Sequence, residues 1–350
     1  MPPNTAAWLP SPRADLVVGP AAMHEPGRGE ILIRSRAVAV NPLDDVKQWT
    51  GDLMYRWLGY PAVLGEDVAG EVAAVGPGVT RFAVGDRVAA YAVGMERGRR
   101  HDAEGAFQLY VVVREDLATP LPDGLAFEQA VVLPLAVSTA ATALFQDDQL
   151  ALRTPNVDEP PTGETVVVWG GSTSVGSNAI QLAVAAGYRV ITTASSHNEA
   201  RMRELGAELV VDYRDPAAVA AIVSGVEGSP LAGVVAIGAG SGDAAVRIAA
   251  AAGSFASPSA KKVRASATGR SRTSVMSFPP SLYSSTAAWN RLPPQSSQGV
   301  SIVSMNPSSV MITPAPLQVG HAPSEFALKR AGFTPFAFAK ALRMGSSIPV

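Results

Sequence analysis

The run Thr165-Val166-Val167-Val168-Trp169 is continuously apolar and leads into a turn of glycine and small hydroxyl residues, Gly170-Gly171-Ser172-Thr173-Ser174-Val175-Gly176. Val175, Ala179, Leu182 and Ala186 then fall on one helical face. A strand, a glycine-rich turn and a helix in that order present backbone N–H groups at a helix N-terminus, where unpaired donors and the helix dipole stabilise a pyrophosphate. Gly170, Gly171, Ser172, Thr173, Ser174, Val175 and Gly176 are therefore the expected phosphate cradle. Thr173 stands where a central glycine is usual, so a merely structural strand-to-helix turn is the alternative reading. A second apolar run, Tyr188 to Ala194, ends in Ser195-Ser196-His197-Asn198. A site for NAD usually places Asp or Glu there to accept the ribose 2′-OH. Hydroxyls without a carboxylate, followed by Arg201 and Arg203, favour a 2′-phosphate, and so NADPH over NADH.

These groups need a scaffold, and the patterning supplies one. Beyond the two strands and the helix between them, the sequence predicts a helix over Glu199 to Leu205 and a strand over Leu209 to Tyr213. A helix at Ala217 to Val223 and a strand at Gly233 to Ile237 follow. Alternation of this kind implies an open, doubly wound parallel sheet. The part before it reads differently. Glu30 to Val40, Leu64 to Val75, Phe82 to Tyr91 and Gly105 to Val113 are short strand-like segments with glycine punctuation, a β-rich first domain. Asn41-Pro42 stops the first of them, and Glu96 to Asp102 reads as a solvated loop. Ala130 to Leu144 reads as one helix, and Gln146 to Glu164 as a loop.

Composition narrows the chemistry. The chain has 350 residues, 47% of them hydrophobic, and a net charge of −2, enough for two ordinary domains. It has no cysteine, which removes disulfides, thiolate nucleophiles and cysteine-ligated zinc together, and its four histidines leave little for another metal site. No run of about 18 consecutive apolar residues is present, which predicts no membrane span. The segment Met1 to Arg13 lacks a signal-peptide pattern, so the cytosol is the expected location. The charge is uneven: residues 1–253 carry 18 basic and 29 acidic side chains, residues 254–350 carry 10 and 1.

The motifs Asn41-Pro42-Leu43-Asp44, LGEDVAGEV from Leu64, FAVGDRV from Phe82, GAFQLY from Gly105, LPLAVSTA from Leu133 and WGGSTSVGSNAIQLA from Trp169 occur in one order. Over about residues 5–253 the chain resembles the medium-chain dehydrogenase/reductase superfamily. Within it the likeness is to the zinc-independent quinone-oxidoreductase and enoyl-reductase branch, including fungal dehydrogenases of the CipB type and trans-acting enoyl reductases. The resemblance implies a GroES-like domain over residues 1–125 and a Rossmann domain binding NADP over 126–253. It also implies that Pro42, Asp44 and Lys47 lie near the nicotinamide end and that Thr139 contacts the cofactor. Ser195, Ser196 and Asn198 match the 2′-phosphate loop, and Tyr213 matches a tyrosine that packs by the adenosine; ordinary packing is the alternative for Thr139 and Tyr213. Gly65-Glu66-Asp67 stands where zinc-dependent relatives have Gly-His-Glu, so no zinc is expected. Without it, the implied chemistry is hydride addition from NADPH to an activated C=C or a quinone. Lys47 and Tyr55 are the catalytic candidates, Tyr55 as proton donor, with a substrate expected between the two domains near Lys47, Tyr55 and Tyr60. The alternatives are a packed tyrosine and a surface lysine.

After about residue 253 the resemblance stops. The family adds two more strands to the nucleotide sheet and then closing elements of the first domain. The Ser/Pro/Arg-rich stretch 254–350 shows only Ile302-Val303 and Val310 to Ile312 as strand-like fragments, and Ser324 to Leu342 as one helix. Either a reading-frame or splicing difference replaced this portion, or it is a divergent folded tail. Three function classes follow. The first is an NADPH-dependent oxidoreductase acting on a small molecule, the second a weak or inactive nucleotide-binding protein. The third is a protein whose basic tail binds nucleic acid or acidic surfaces, which arginines without interleaved aromatics support poorly. Monomer and homodimer both remain open.

Overall fold

The computed structural model describes residues 3–53, 55–238, 241–252, 274–276, 301–304 and 311–312. The chain divides into two compact units at Leu135/Ala136.

In the first unit β1 (Thr5–Leu9), β2 (Val17–Pro20) and β4 (Ala62–Val63) form a three-stranded sheet in the order β2-β1-β4. The larger sheet is built on β3 (Glu30–Val40), whose antiparallel neighbour is β5 (Asp67–Val75), followed by β6 (Arg87–Tyr91) and β8 (Ala118–Pro120). On its other edge β3 pairs through Glu30 to Arg34 with β7 (Tyr110–Arg114). Ile31, Ile33, Val38, Val68, Val72, Val88 and Val111 point to one buried cluster, the alternation that period-2 strands produce. The two sequence-adjacent strands β1 and β2 are additional to the segments expected from the sequence.

Two helical elements correct the sequence reading of this unit. Asn41-Pro42 ends β3, but it also begins α1 (Pro42–Thr50), with Pro42 at the first helical position, where its missing N–H costs nothing. The segment expected to be a solvated loop ends in α2 (His101–Glu104), and two of its three arginines are engaged. Arg99 and Arg100 both bind the Glu104 carboxylate, at 2.8 and 3.3 Å, and Arg100 reaches Glu30 at 2.6 Å.

The stretch Phe127–Phe145 is long and apolar enough to cross a membrane by length and composition alone. It is not one continuous helix: α3 (Phe127–Ala130) and α4 (Pro134–Phe145) are separated by a turn, because Pro134 has no N–H to continue the ladder and disfavours helical backbone at Leu133. Both pieces bury apolar faces: Ala130 joins a core cluster with Ala37, Ala69 and Leu125, whereas Ala140, Ala143 and Leu144 join one with Val166 and Val168.

The second unit alternates strand and helix. Its elements are β9 (Thr165–Trp169), α5 (Ser174–Ala185), β10 (Arg189–Thr193), α6 (Glu199–Glu204), β11 (Leu209–Val211), α7 (Ala218–Val226), β12 (Leu231–Ile237), α8 (Ser241–Ala251) and β13 (Ser274–Met276). The sheet order is β11-β10-β9-β12-β13, with every pairing parallel. The chain thus reverses its direction of travel at β9 and β12, the position where open parallel sheets bind ligands. Val166, Val167 and Val168 are fully buried, since one face of the sheet meets α5 and the other meets α7 and α8.

The strand-like fragments of the C-terminal stretch are strands. β13 adds a fifth parallel strand beside β12, which corrects an expected end of the sheet at four, β14 (Ser301–Ser304) pairs parallel with β3, and β15 (Met311–Ile312) pairs with β14. The remainder of 254–350, including the helix expected over Ser324 to Leu342, lies outside the described residues.

Candidate functional site

The glycine turn after β9 is forced by close approach. Gly170 has φ +95°, and a Cβ there would lie 2.6 Å from the Ile237 carbonyl oxygen of β12. A Cβ on Gly171 would lie 2.1 Å from Thr192 Oγ1, and one on Gly176 2.1 Å from the Gly170 carbonyl oxygen. The first turn of α5 therefore sits directly on the end of β9. Thr173 is the N-cap: its Oγ1 accepts from the Gly176 N–H at 2.9 Å and donates to the Gly170 carbonyl at 2.8 Å. Its hydroxyl is thereby spent on the turn, which explains threonine in place of a central glycine and leaves only the backbone for a ligand. Ser172, Ser174 and Val175 are half-buried around the helix start, where the first-turn N–H groups have no intrahelical acceptors. Thr139 is half-buried on α4, while Ala140 and Ala143 of that helix face the core.

Beyond β10, Ser195 caps a short turn over Ser196–Asn198. Asn198 Nδ2 lies 3.4 Å from Ser195 Oγ and 3.1 Å from His197 Nε2, so the three polar side chains form one small cluster. The parallel register Thr193↔Val211 and the bond from Ala194 N–H to the Val211 carbonyl bring the segment after β11 alongside. That segment carries Asp212, Tyr213 and Arg214. Tyr213 is exposed, and the Arg214 guanidinium lies 5.7 Å from its ring centre. Of the two arginines expected to assist here, Arg203 is engaged elsewhere, binding Glu199 at 2.9 Å and the Glu208 carbonyl at 2.7 Å. Arg201 is half-buried on α6.

In the first unit Asn41, Asp44, Glu66 and Asp67 are buried together beside Tyr91. Asp44 caps α1 through its side chain, accepting the Asn41 N–H at 2.7 Å. Asp67 accepts from Asn41 Nδ2 at 2.9 Å and from the Leu135 N–H at 2.7 Å. Glu66 accepts from the Tyr91 hydroxyl at 3.2 Å. Burial pushes the Asp44 carboxyl up to about 8, with Asp67 adding to the rise, and Asp67 up to about 7 against the pull of its Asn41 bond. Glu66 is driven well above the carboxylate range by burial and by Asp44 and Asp67. Burial and the Glu66 and Asp44 carboxyls also raise the Tyr55 hydroxyl, which keeps its proton.

Lys47 is not a surface cation. Its side chain is fully buried, with Nζ 3.2 Å from the carbonyls of Gly51 and Tyr55, 3.5 Å from the Asp52 carboxylate and 4.6 Å from the Tyr60 ring centre. Burial lowers its pKa. Tyr55 is half-buried at φ +52°, its ring edge-on to Trp57 at 5.5 Å. Pro42, Asp44, Lys47 and Tyr55 thus share one corner of the first unit.

Among the described residues, no group of three or more His, Asp or Glu side chains is arranged to hold a metal ion. The acid cluster does not suit zinc: both Asp67 oxygens and one Asp44 oxygen already accept N–H donors, and among the described residues no imidazole stands with them.

Comparison with known proteins agrees with this architecture. Residues 27–123 match the alcohol dehydrogenase GroES-like domain. Over 250 residues the chain is 50% identical to the dehydrogenase pigH of Monascus ruber, covering 71% of this chain and 68% of that protein. The chain belongs to the medium-chain dehydrogenase/reductase superfamily. It is also 45% identical over 217 residues to the trans-enoyl reductase himH of Aspergillus japonicus, which covers 62% of this chain and 61% of that one. The quinone oxidoreductase of Pseudomonas syringae superposes with a TM-score of 0.53 at 27% identity, over 70% of this chain and 69% of that one. The superfamily member described here is an oxidoreductase.

Sequence reasoning missed the buried acid cluster as a unit and Arg214. The signal for the first was Glu66-Asp67 inside the otherwise small and apolar run from Leu64 to Ala69, with Asp44 at the start of α1. For the second it was a basic residue three positions after the third Rossmann strand.

Proposed function

We propose that this oxidoreductase is an NADPH-dependent reductase that transfers hydride to an activated C=C or to a quinone, without zinc. The observation that carries the reading is the capped glycine turn at the β9/β12 reversal next to a hydroxyl-lined turn at the end of β10 whose own residues, Ser195 to Asn198, include no carboxylate. Gly170 to Val175 would hold the pyrophosphate through backbone N–H groups, as helix N-termini do. Ser195, Ser196 and Asn198 would receive the 2′-phosphate, Tyr213 the adenosine and Thr139 the nicotinamide half. NADPH, when bound, supplies the hydride at its C4.

The first unit contributes protons and position. Reduction of an enone or enoyl ester adds hydride to one carbon and a proton to its neighbour, and reduction of a quinone puts the proton on oxygen. Tyr55, whose hydroxyl is held in the neutral form, is the donor assigned to this step. Lys47 acts through its neighbours, its Nζ donating to the Gly51 and Tyr55 carbonyls and so holding Tyr55 in place. Asp44 holds the start of α1, so Pro42 and Asp44 serve the site by positioning it.

The test is a thermal-shift titration of the full chain with NADPH and with NADH, since a ligand that binds only the folded state raises its apparent stability, by about 2.7 kcal/mol at a hundredfold excess over Kd. An upward shift that is larger with NADPH, followed by loss of NADPH absorbance on adding a benzoquinone or an enoyl thioester, is the expected result. Binding without turnover on either substrate would leave a nucleotide-binding protein and remove the reductase. No shift with either nucleotide would remove the cofactor assignment itself.

A further inference from the structure

We propose that Arg214, carried on Asp212, is the residue that selects the 2′-phosphate over a free ribose hydroxyl. The inference rests on the NADPH reading above and goes beyond it by naming the discriminating cation.

The geometry is specific. Arg214 holds Asp212 with both arms of its guanidinium, Nε to Oδ1 at 3.0 Å and Nη2 to Oδ2 at 2.7 Å, and its backbone N–H donates to the same Oδ1 at 3.0 Å. The Ala194 N–H donates to the Val211 carbonyl at 3.1 Å, so the segment that carries the ion pair runs beside the one that leads into the turn of Ser195 and Asn198. Arg214 is 57% exposed, and its guanidinium lies over the exposed Tyr213 ring. Of the two other cations, Arg203 is committed to Glu199 and to the Glu208 carbonyl, and Arg201 is half-buried on α6.

The pair decides the sign of the charge beside the turn. Asp212 alone would repel a phosphate dianion and would accept a hydrogen bond from a ribose hydroxyl, as the acid at the end of the second strand does in NAD sites. Arg214 cancels that charge, and a planar guanidinium has donors enough to serve a carboxylate and a phosphate together. A surface ion pair of this kind adds little to stability, so selectivity is the property its removal should change.

The experiment uses 2′,5′-ADP and 5′-AMP as probes, which differ only in the 2′-phosphate, bound to the full chain and read by calorimetric titration. Wild type should prefer 2′,5′-ADP. Arg214→Ala should weaken 2′,5′-ADP by about 10- to 100-fold, the range of a charge-assisted hydrogen bond, and leave 5′-AMP within about twofold. Arg214→Lys should fall between. Asp212→Asn keeps the oxygen that shapes the turn and removes the competing charge, so 2′,5′-ADP should bind at least as well as to wild type. If Arg214→Ala weakens both probes equally, or neither, or if Asp212→Asn weakens both, the pair is only a turn brace and the inference falls. A wild-type protein with no preference for 2′,5′-ADP would instead overturn the NADPH reading on which it stands.

Discussion

Lys47 illustrates how a charged side chain can be structural beside the proton donor proposed above. Its ammonium replaces water with two carbonyls, a carboxylate and an aromatic face, all supplied by residues 51 to 60. Substituting Lys47→Met keeps the apolar stem and abandons the acceptors, and leaving two carbonyls short of a donor should destabilise the first unit by about 2–3 kcal/mol. Asp52 is 64% exposed, so its ion pair with Lys47 contributes little to that figure. Urea unfolding of wild type and variant measures the difference directly. A variant of unchanged stability but lost turnover would show that Lys47 touches the substrate instead, and Tyr55→Phe provides the contrast. It should keep the fold, keep nucleotide binding and lose most of the rate on an enone.

At the scale of elements, the strand-turn-helix unit was the most legible part of the sequence. β3 and β9 fall on the residues expected for them, because continuous or alternating β-branched runs between turn residues leave few other solutions. What escaped was decided by single residues at boundaries. Pro42 was read as a terminator and is also a first helical residue; Pro134 was absorbed into a helix that it starts. α8 carries Gly242 and Asp243 in its first turn, which hid its later apolar positions. The acids at 44, 66 and 67 stand in the sequence, but they do not read as one cluster there because they meet only when the end of β3, α1 and the start of β5 converge. The capped turn yields a direct prediction. Thr173→Ala removes the N-cap bond and should cost about 1 kcal/mol and a few °C of melting temperature, whereas Thr173→Ser should retain both. Gly176→Ala is of another order, since its Cβ would meet the Gly170 backbone oxygen at 2.1 Å. That variant should lose the nucleotide-induced shift altogether, and circular dichroism with a thermal titration separates the two effects.

For the whole molecule, two levers act on two different cores. The raised carboxyls, Asp44, Glu66 and Asp67, all belong to the first unit, and the phosphate cradle belongs to the second. An acid whose pKa is higher folded than unfolded holds a proton that unfolding releases, so the folded state is favoured most below the ordinary carboxylate pKa of about 4. That contribution is lost as pH rises through the folded values, about 7 for Asp67 and about 8 for Asp44. The first unit should therefore melt at progressively lower temperature across this window, with no matching loss in the second. Asp44→Asn, which keeps an oxygen for the Asn41 amide, should flatten the dependence. NADPH should do the reverse, raising the component that belongs to the second unit at every pH. Differential scanning calorimetry at several pH values, with and without NADPH, resolves the two. A single transition that follows pH and nucleotide together would show that the cores unfold as one, and a transition that strengthens between pH 5 and 8 would contradict the protonated acid cluster.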